Sequence, residues 1–456
     1  MKDNALDDSR ESSNIARPPF GVKLAFAIGQ FGWSLATFCV FNQLAYFYLP
    51  PETGTTNFPT FIYQGSILGV LTVIGLISFG GRVLDAITDP WIANLSDRSS
   101  SKLGKRRLFM LLGAFPLALC SYLVFYPISD STQLNSIWLG GTIVLFYIAF
   151  TIYSVPYAAL FSELSHNPKD RMQLSTMISV TWAIGFFVGN IIFVLQSHFE
   201  STMSPTAAFQ QSVLLFSVVS FIAMLVPVLF VKEQKYCKQA VSKLSIKDSM
   251  AQVMKNANFR NFAISDMIYW LALTIIQSGI VYYVTVLLQY DKAFTTYFMG
   301  GSFILSIVVF YALVNWGVKR FGKKRVMSFG FLIFGATFLL GALLGNPVLP
   351  KMAQLVIMGV MAAIPLAIFG IVPNAVLADI VYVHERKTRK QLAGMFFAVR
   401  TVMMKFGIAL GSLLFPSFLL LGRSVDNDFG IRFSGFAALT FCVLGFILFQ
   451  RYRDET

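Results

Sequence analysis

The chain has 456 residues, of which 56% are hydrophobic and only 13% charged, and its mean hydropathy is +0.66. Soluble domains carry roughly twice that share of charge, so a water-soluble globular protein is excluded. The net charge of +14 does not mark a nucleic-acid partner, because 29 of the 36 Lys and Arg lie in the two termini and alternate loops, 4 in the opposite loops and 3 inside apolar runs. That asymmetry is the topogenic signature of a membrane protein and places both termini in the cytoplasm with an even number of crossings.

A helix needs about 20 apolar residues to cross the hydrocarbon core. Residues 1–21 are polar, include Pro18 and Pro19, and lack the apolar core of a cleaved leader, so they read as a cytoplasmic tail and the first span as its own insertion signal. Apolar runs follow at 22–49, 64–95, 108–128, 135–163, 174–198 and 211–231. A basic stretch over 233–261, with Lys235, Lys238, Lys243, Lys247 and Lys255, reads as a cytoplasmic central loop. Six more runs occupy 262–289, 297–318, 326–346, 352–383, 391–421 and 431–450, and 451–456 form a second cytoplasmic tail. The runs are continuous rather than alternating, which predicts helices and not barrel strands. The expected fold is all-α and polytopic, with 12 transmembrane helices in two six-helix bundles over 22–232 and 262–450. The chain is expected in the cell's inner or plasma membrane.

The halves carry a faint internal echo. Gly104-Lys105-Arg106-Arg107 follows the second span and Gly322-Lys323-Lys324-Arg325 follows the eighth. These basic loops either set topology only or pair with acidic helix ends across the halves to hold one conformation shut. Glu163, Asp266 and Asp379 fall near span ends, where latching or water accounts for them.

Span two holds the densest intramembrane charge, in the run Gly80-Gly81-Arg82-Val83-Leu84-Asp85-Ala86-Ile87-Thr88-Asp89-Pro90. At helical spacing Arg82, Asp85 and Asp89 share one face. Charges in hydrocarbon cost several kcal/mol unless they face a cavity or a partner, so this face marks a functional site. Two carboxylates one turn apart repel when ionised, which raises one pKa or recruits a cation between them. Pro90 cannot donate to the Ala86 carbonyl, leaving one more hard oxygen. These ligands suit Na+ or H+ as a transported cation. Arg82 offsets one carboxylate, and Arg400 and Lys405 in span eleven are candidates for a counter-charge that cation binding would release. A static ion pair is the other reading of those charges.

Polar residues at mid-span positions, Gln30, Ser34, Asn42, Thr151, Tyr153, Ser154, Asn190, Gln277, Tyr282 and Asn374, serve either as interhelical hydrogen bonds or as substrate contacts. Trp33 and Trp182 can stack on a sugar ring or pack in a core. The histidines, His166, His198 and His384, sit at span ends, so an intramembrane enzyme is not expected. The cysteines, Cys39, Cys120, Cys237 and Cys442, are scattered, and neither a disulfide framework nor a resident cofactor is expected.

The run from Arg82 to Pro90, Ser96-Asp97-Arg98, the Gly-Lys-Arg-Arg loop, Val155-Pro156-Tyr157 with Arg171, Ala378-Asp379-Ile380 with Lys387-Thr388, and Lys405 together resemble the glycoside-pentoside-hexuronide:cation symporter family over nearly the whole chain. The resemblance implies a major facilitator fold, cation binding at Asp85 and Asp89 with Thr151 beside them, and coupling of cation and sugar sites through Lys405. It also implies a polar solute, a sugar or glycoside, bound between the halves. In the melibiose permease of that family an aspartate in span one, another in span four and an arginine in span five act in binding. Here those places look like Ser34, Ser154 and Ser179, which argues against a galactoside. The expected function is Na+- or H+-coupled symport by alternating access, carried out by a monomer in the bilayer. A uniporter or exporter of the same fold and a lipid or lysolipid carrier are the alternatives.

Overall fold

In the computed structural model the residues described are 16–53, 58–67, 69–99, 101–237, 253–388 and 392–453. Most of the expected N-terminal tail, the central-loop lysines Lys238, Lys243 and Lys247, and the last three residues lie outside them. Fifteen α-helices run in chain order among the described residues. They are α1 (Phe20–Tyr48), α2 (Val73–Arg98), α3 (Lys105–Leu123), α4 (Thr132–Leu164), α5 (Pro168–Asn190), α6 (Ile192–Phe199), α7 (Pro205–Phe230) and the short α8 (Glu233–Tyr236). After the central loop come α9 (Ala257–Tyr282), α10 (Ala293–Leu305), α11 (Tyr311–Phe321), α12 (Lys323–Ala342), α13 (Lys351–Thr388), α14 (Ala393–Phe418) and α15 (Phe429–Gln450).

Eleven helical segments among the described residues are long and apolar enough to cross a membrane, and the chain is a multi-pass membrane protein. The helix missing from that set is α2, whose 26 residues include Arg82, Asp85 and Asp89. Its start differs from expectation. Residues 64–72 do not join the helix, because Ser66–Ile67 (β1) and Leu71–Thr72 (β2) pair as a small antiparallel hairpin, turned at Gly69 with φ +78°, and the helix begins at Val73. The fifth run also breaks, at Ile191. There the Asn190 side chain donates to the Phe186 carbonyl at 2.8 Å, competing with the helix's own ladder.

Local sequence explains the helix starts. Ser131, Asn167, Ser204 and Asn256 each accept a first-turn N–H, and Pro168 and Pro205 stand where no N–H is needed. Contacts gather the chain into two compact units: Val83 through the end of span six with the described residues up to Gln43, and Leu44–Arg82 with everything after the central loop.

In the first unit α3 packs on α4 and α7. Its end with the basic loops is fastened by one guanidinium. Arg106 donates to Glu163 at the end of α4 at 3.0 Å, donates to Ser96 at 2.6 Å, and pairs with Asp97. The Glu233 carboxylate accepts from the backbone N–H of Arg106 at 3.0 Å and of Arg107 at 3.3 Å, a favourable anion at the positive end of α3. Gly104 makes this possible: φ is +108°, and a Cβ there would stand 2.3 Å from a Glu233 oxygen. Lys23 of α1 is bound by Asp170 at 2.5 Å and Gln173 at 2.8 Å on α5.

In the second unit α9 lies against α14 and α15. Without water between them, membrane helices associate through close backbone approach at small residues. Gly407 and Gly411 supply that approach, since a Cβ on either would stand 2.2 Å from the Met267 carbonyl or 2.8 Å from that of Leu271. The echo reappears here: Gly322 has φ +84°, and the Lys323 that follows pairs with Asp379 of α13. Each basic loop therefore meets an acidic helix end of its own unit. At the other end of the second unit Arg423 binds Glu52 at 3.0 Å and Gln64 at 2.6 Å, and the Tyr282 hydroxyl donates to the Leu49 carbonyl at 2.7 Å.

Candidate functional site

The unusual composition of α2 becomes a site through α4. The Thr151 hydroxyl donates to Asp85 Oδ1 at 2.9 Å. Asp85 is 1% exposed and Thr151 fully buried. A third group, Thr88, stands 3.2 Å from the Thr151 hydroxyl and within bonding range of the carbonyls of Leu84 (3.0 Å) and Asp85 (3.2 Å). Asp89, one turn on, is half-buried, and Pro90 lies within the helix. The result is a carboxylate and two rotatable hydroxyls on adjacent helices, hard oxygen donors of the kind that bind Na+, or a proton on the carboxylate. No group of three or more His, Cys, Asp or Glu side chains able to hold a metal occurs among the described residues. A resident metal centre of that kind is a different chemistry from hydroxyl and carboxylate oxygens around a transient ion.

A second buried charge cluster lies wholly in the second unit. Arg400 donates to both oxygens of Asp266, at 2.9 and 3.2 Å, and to the Asn374 amide oxygen at 2.6 Å. Asp266 is 1% exposed, so it is neither at a water-exposed helix end nor part of a surface latch. The sequence reading did not pair these two, although an acid inside span seven and a base inside span eleven each needed a partner. Arg82 and Lys405 are half-buried, and both belong to the second unit.

The remaining candidates divide by what their polar atoms touch. Tyr153 is fully buried and its hydroxyl donates to the Met224 carbonyl at 3.0 Å, tying α4 to α7. The Ser34 hydroxyl donates within its own helix to Phe31 at 3.1 Å. Trp182 stacks on Phe186 at 6.1 Å and meets Phe38 edge-on at 5.3 Å. Gln30 is buried, Ser154 and Gln277 are half-buried, and Ser179 and Asn374 are exposed. Trp33 differs from these: its ring meets Phe150 and Tyr157 at 5.6 and 6.4 Å, while its indole N–H is buried with no hydrogen-bond partner among the described residues. An unmet buried donor costs about 1–3 kcal/mol, so it calls for an acceptor.

A sequence profile described as MFS/sugar transport protein matches residues 30–422, and the chain belongs to that family. The isoprimeverose transporter of Lactiplantibacillus pentosus is 23% identical over 419 residues, covering 90% of this chain and 82% of the relative. The putative glycoside/cation symporter YagG of Escherichia coli (strain K12) is 23% identical over 395 residues, covering 85% and 80%. Among solved structures, that of the nucleoside transporter NupG superposes with a TM-score of 0.64 at 15% identity, covering 95% of this chain and 99% of that one. These findings bear out the family resemblance and the all-α polytopic transporter fold expected from the sequence.

Proposed function

We propose that the protein is a secondary active transporter that couples a cation, Na+ or H+, to the movement of a sugar or related polar solute by alternating access. The observation that carries this reading is the buried contact between Asp85 and the Thr151 hydroxyl, in a family whose relatives bear the names of sugar and glycoside symporters. The cation is taken up by Asp85 and Asp89, with Thr151, Thr88 and the Ala86 carbonyl as further oxygen ligands. Hydroxyl groups suit this task because they rotate, turning a lone pair to the ion when it arrives and a proton to the carboxylate when it leaves. Arg82 and Lys405 supply the counter-charge that makes ion binding and solute binding interdependent. A ligand shifts such an equilibrium only through its differential affinity for the two states.

For the solute, the unmet N–H of Trp33 offers a donor to a sugar hydroxyl and its ring a flat apolar face. Gln30, Ser34, Ser154, Ser179, Trp182, Gln277 and Asn374 complete the candidate lining. Both termini face the cytoplasm, residues 22–232 and 262–450 act as the two moving halves, and the working form is a monomer.

The test is solute uptake into proteoliposomes with an imposed Na+ or H+ gradient. The expected outcome is gradient-driven accumulation by the wild type and none by Asp85→Ala or Asp89→Ala. Normal accumulation by both variants refutes the cation site, and uptake indifferent to either gradient identifies a uniporter instead.

A further inference from the structure

The second unit contains a cavity of about 540 Å3 where span seven starts and spans ten and twelve finish, lined by residues that include Asn256, Asn258, His384, Lys387, Arg451 and Arg453. We propose that it binds a phosphate-bearing anion.

Among the described residues, the charge of the two arginines lining this cavity is not balanced from within. Elsewhere among the described residues, Arg106, Arg400, Arg423 and Arg432 each hold a carboxylate. The guanidinium groups of Arg451 and Arg453, by contrast, make no hydrogen bond or ion pair among the described residues. Asp379, the acidic side chain in the lining, is engaged by Lys323. The chain that presents the two arginines is nevertheless fixed in place. Asn258 bonds the Arg453 backbone in both directions, accepting from its N–H at 3.1 Å and donating to its carbonyl at 3.3 Å. Tyr452 is 2% exposed and stacks on Phe449 at 5.3 Å. Two cationic forks are therefore held on an ordered rim beside Lys387.

The floor adds to the attraction. Asn256 caps α9 by accepting from the Phe259 N–H at 3.0 Å, and Asn256, Ala257 and Asn258 at the start of this 26-residue helix line the cavity. The positive end of the helix dipole thus opens into it. The His384 ring lies 3.4 Å from the Asn256 amide nitrogen and edge-on to Phe396 at 5.0 Å, and forms a polar wall. Each guanidinium fork can bind two oxygens at once, so the several oxygens of a phosphate can serve both forks together, whereas chloride has no oxygens and a single carboxylate only two. The volume exceeds that of a bare phosphate and falls in the range that takes a whole small ligand. The phosphate can belong to an anionic phospholipid headgroup at the membrane boundary, or to a free anion from solution.

The test uses delipidated full-length protein in detergent and its melting temperature as the readout. Inorganic phosphate and short-chain phosphatidylglycerol are titrated separately, against phosphatidylcholine of the same chain length and sodium chloride at matched ionic strength. The expected result is a saturable rise in melting temperature with a phosphate-bearing anion, and a midpoint at least tenfold weaker in the double variant Arg451→Gln/Arg453→Gln. The exposed Arg171→Gln keeps the wild-type midpoint. A response to both probes shows that free phosphate suffices, and a response to phosphatidylglycerol alone identifies the headgroup. No saturable response to either, an equal response to phosphatidylcholine, or an unchanged midpoint in the double variant overturns the proposal. The unliganded melting temperature of the double variant reports that it folds.

Discussion

Each unit buries an aspartate to 1% exposure in its helices, and the donors seen on the two differ in kind. Asp266 sits in the bidentate fork of Arg400, whereas Asp85 receives the neutral hydroxyl of Thr151. A guanidinium fork satisfies a carboxylate with a charge that cannot leave. A hydroxyl satisfies an oxygen geometrically and carries no net charge of its own. Burial alone therefore does not mark a transport site. Under the proposed reading, the kind of donor on the acid separates a brace from a binding site.

The comparison breaks first at the acids themselves. Asp85→Asn is expected to fold normally, with an unchanged gel-filtration profile, while gradient-driven accumulation falls by about two orders of magnitude. That loss is the scale of a missing charge-assisted contact, about 3 kcal/mol. If Asp85→Asn instead aggregates while Asp266→Asn transports poorly but folds well, the roles are reversed. The brace gives an effect of similar size, read in stability and not in transport. Arg400→Gln leaves Asp266 buried without its counter-charge, which is expected to cost about 3–5 kcal/mol. The double variant Asp266→Asn/Arg400→Gln should recover more than half of the lost melting temperature, and no recovery means the fork contributes nothing to folding.

Smaller still is the helix contact beneath that brace. Gly407→Ala pushes a methyl group into the Met267 carbonyl and should cost about 1–3 kcal/mol by overpacking, read as a lower melting temperature with unaltered cation preference. Thr151→Val removes one hydroxyl at constant shape and should weaken apparent cation affinity by roughly tenfold, about 1.4 kcal/mol, while Thr151→Ser retains it. A Thr151→Val variant with wild-type affinity would remove the hydroxyl from the ligand set. The least effect is expected at Cys237, whose thiol is pushed up by burial and then by the nearby Glu163 and Glu233. A raised thiol is mostly un-ionised and so a poor nucleophile near neutral pH. Maleimide should label it only slowly in folded protein, and rapid labelling would show that this end of the first unit opens readily.

The charges of α2 were legible because an aspartate in an apolar run is conspicuous wherever it points. The spacing of Asp85 and Asp89 alone put them on one face, and the family run around them carried the rest. Thr88 was not singled out, since a threonine in a membrane helix usually bonds its own backbone, as this one also does. The pairing of Arg400 with Asp266 was out of reach for a different reason: 134 residues separate them, and periodicity reports faces of a helix, never which helix lies opposite. The basic loops close on Glu163 and Asp379 within their own units, partners that a charge count along the chain does not name. The hairpin at 66–72 was hidden because an apolar run of strand and helix looks continuous to a hydropathy reading.

Sequence by itself determined the class, the helical character and the place of the intramembrane charge, because those follow from apolar length and from the cost of placing an ion in hydrocarbon. Only tertiary structure decided that the fork of Arg400 meets Asp266 and that the hydroxyl of Thr151 meets Asp85. That distinction depends on distances between atoms far apart in the chain, and three-dimensional packing alone sets them.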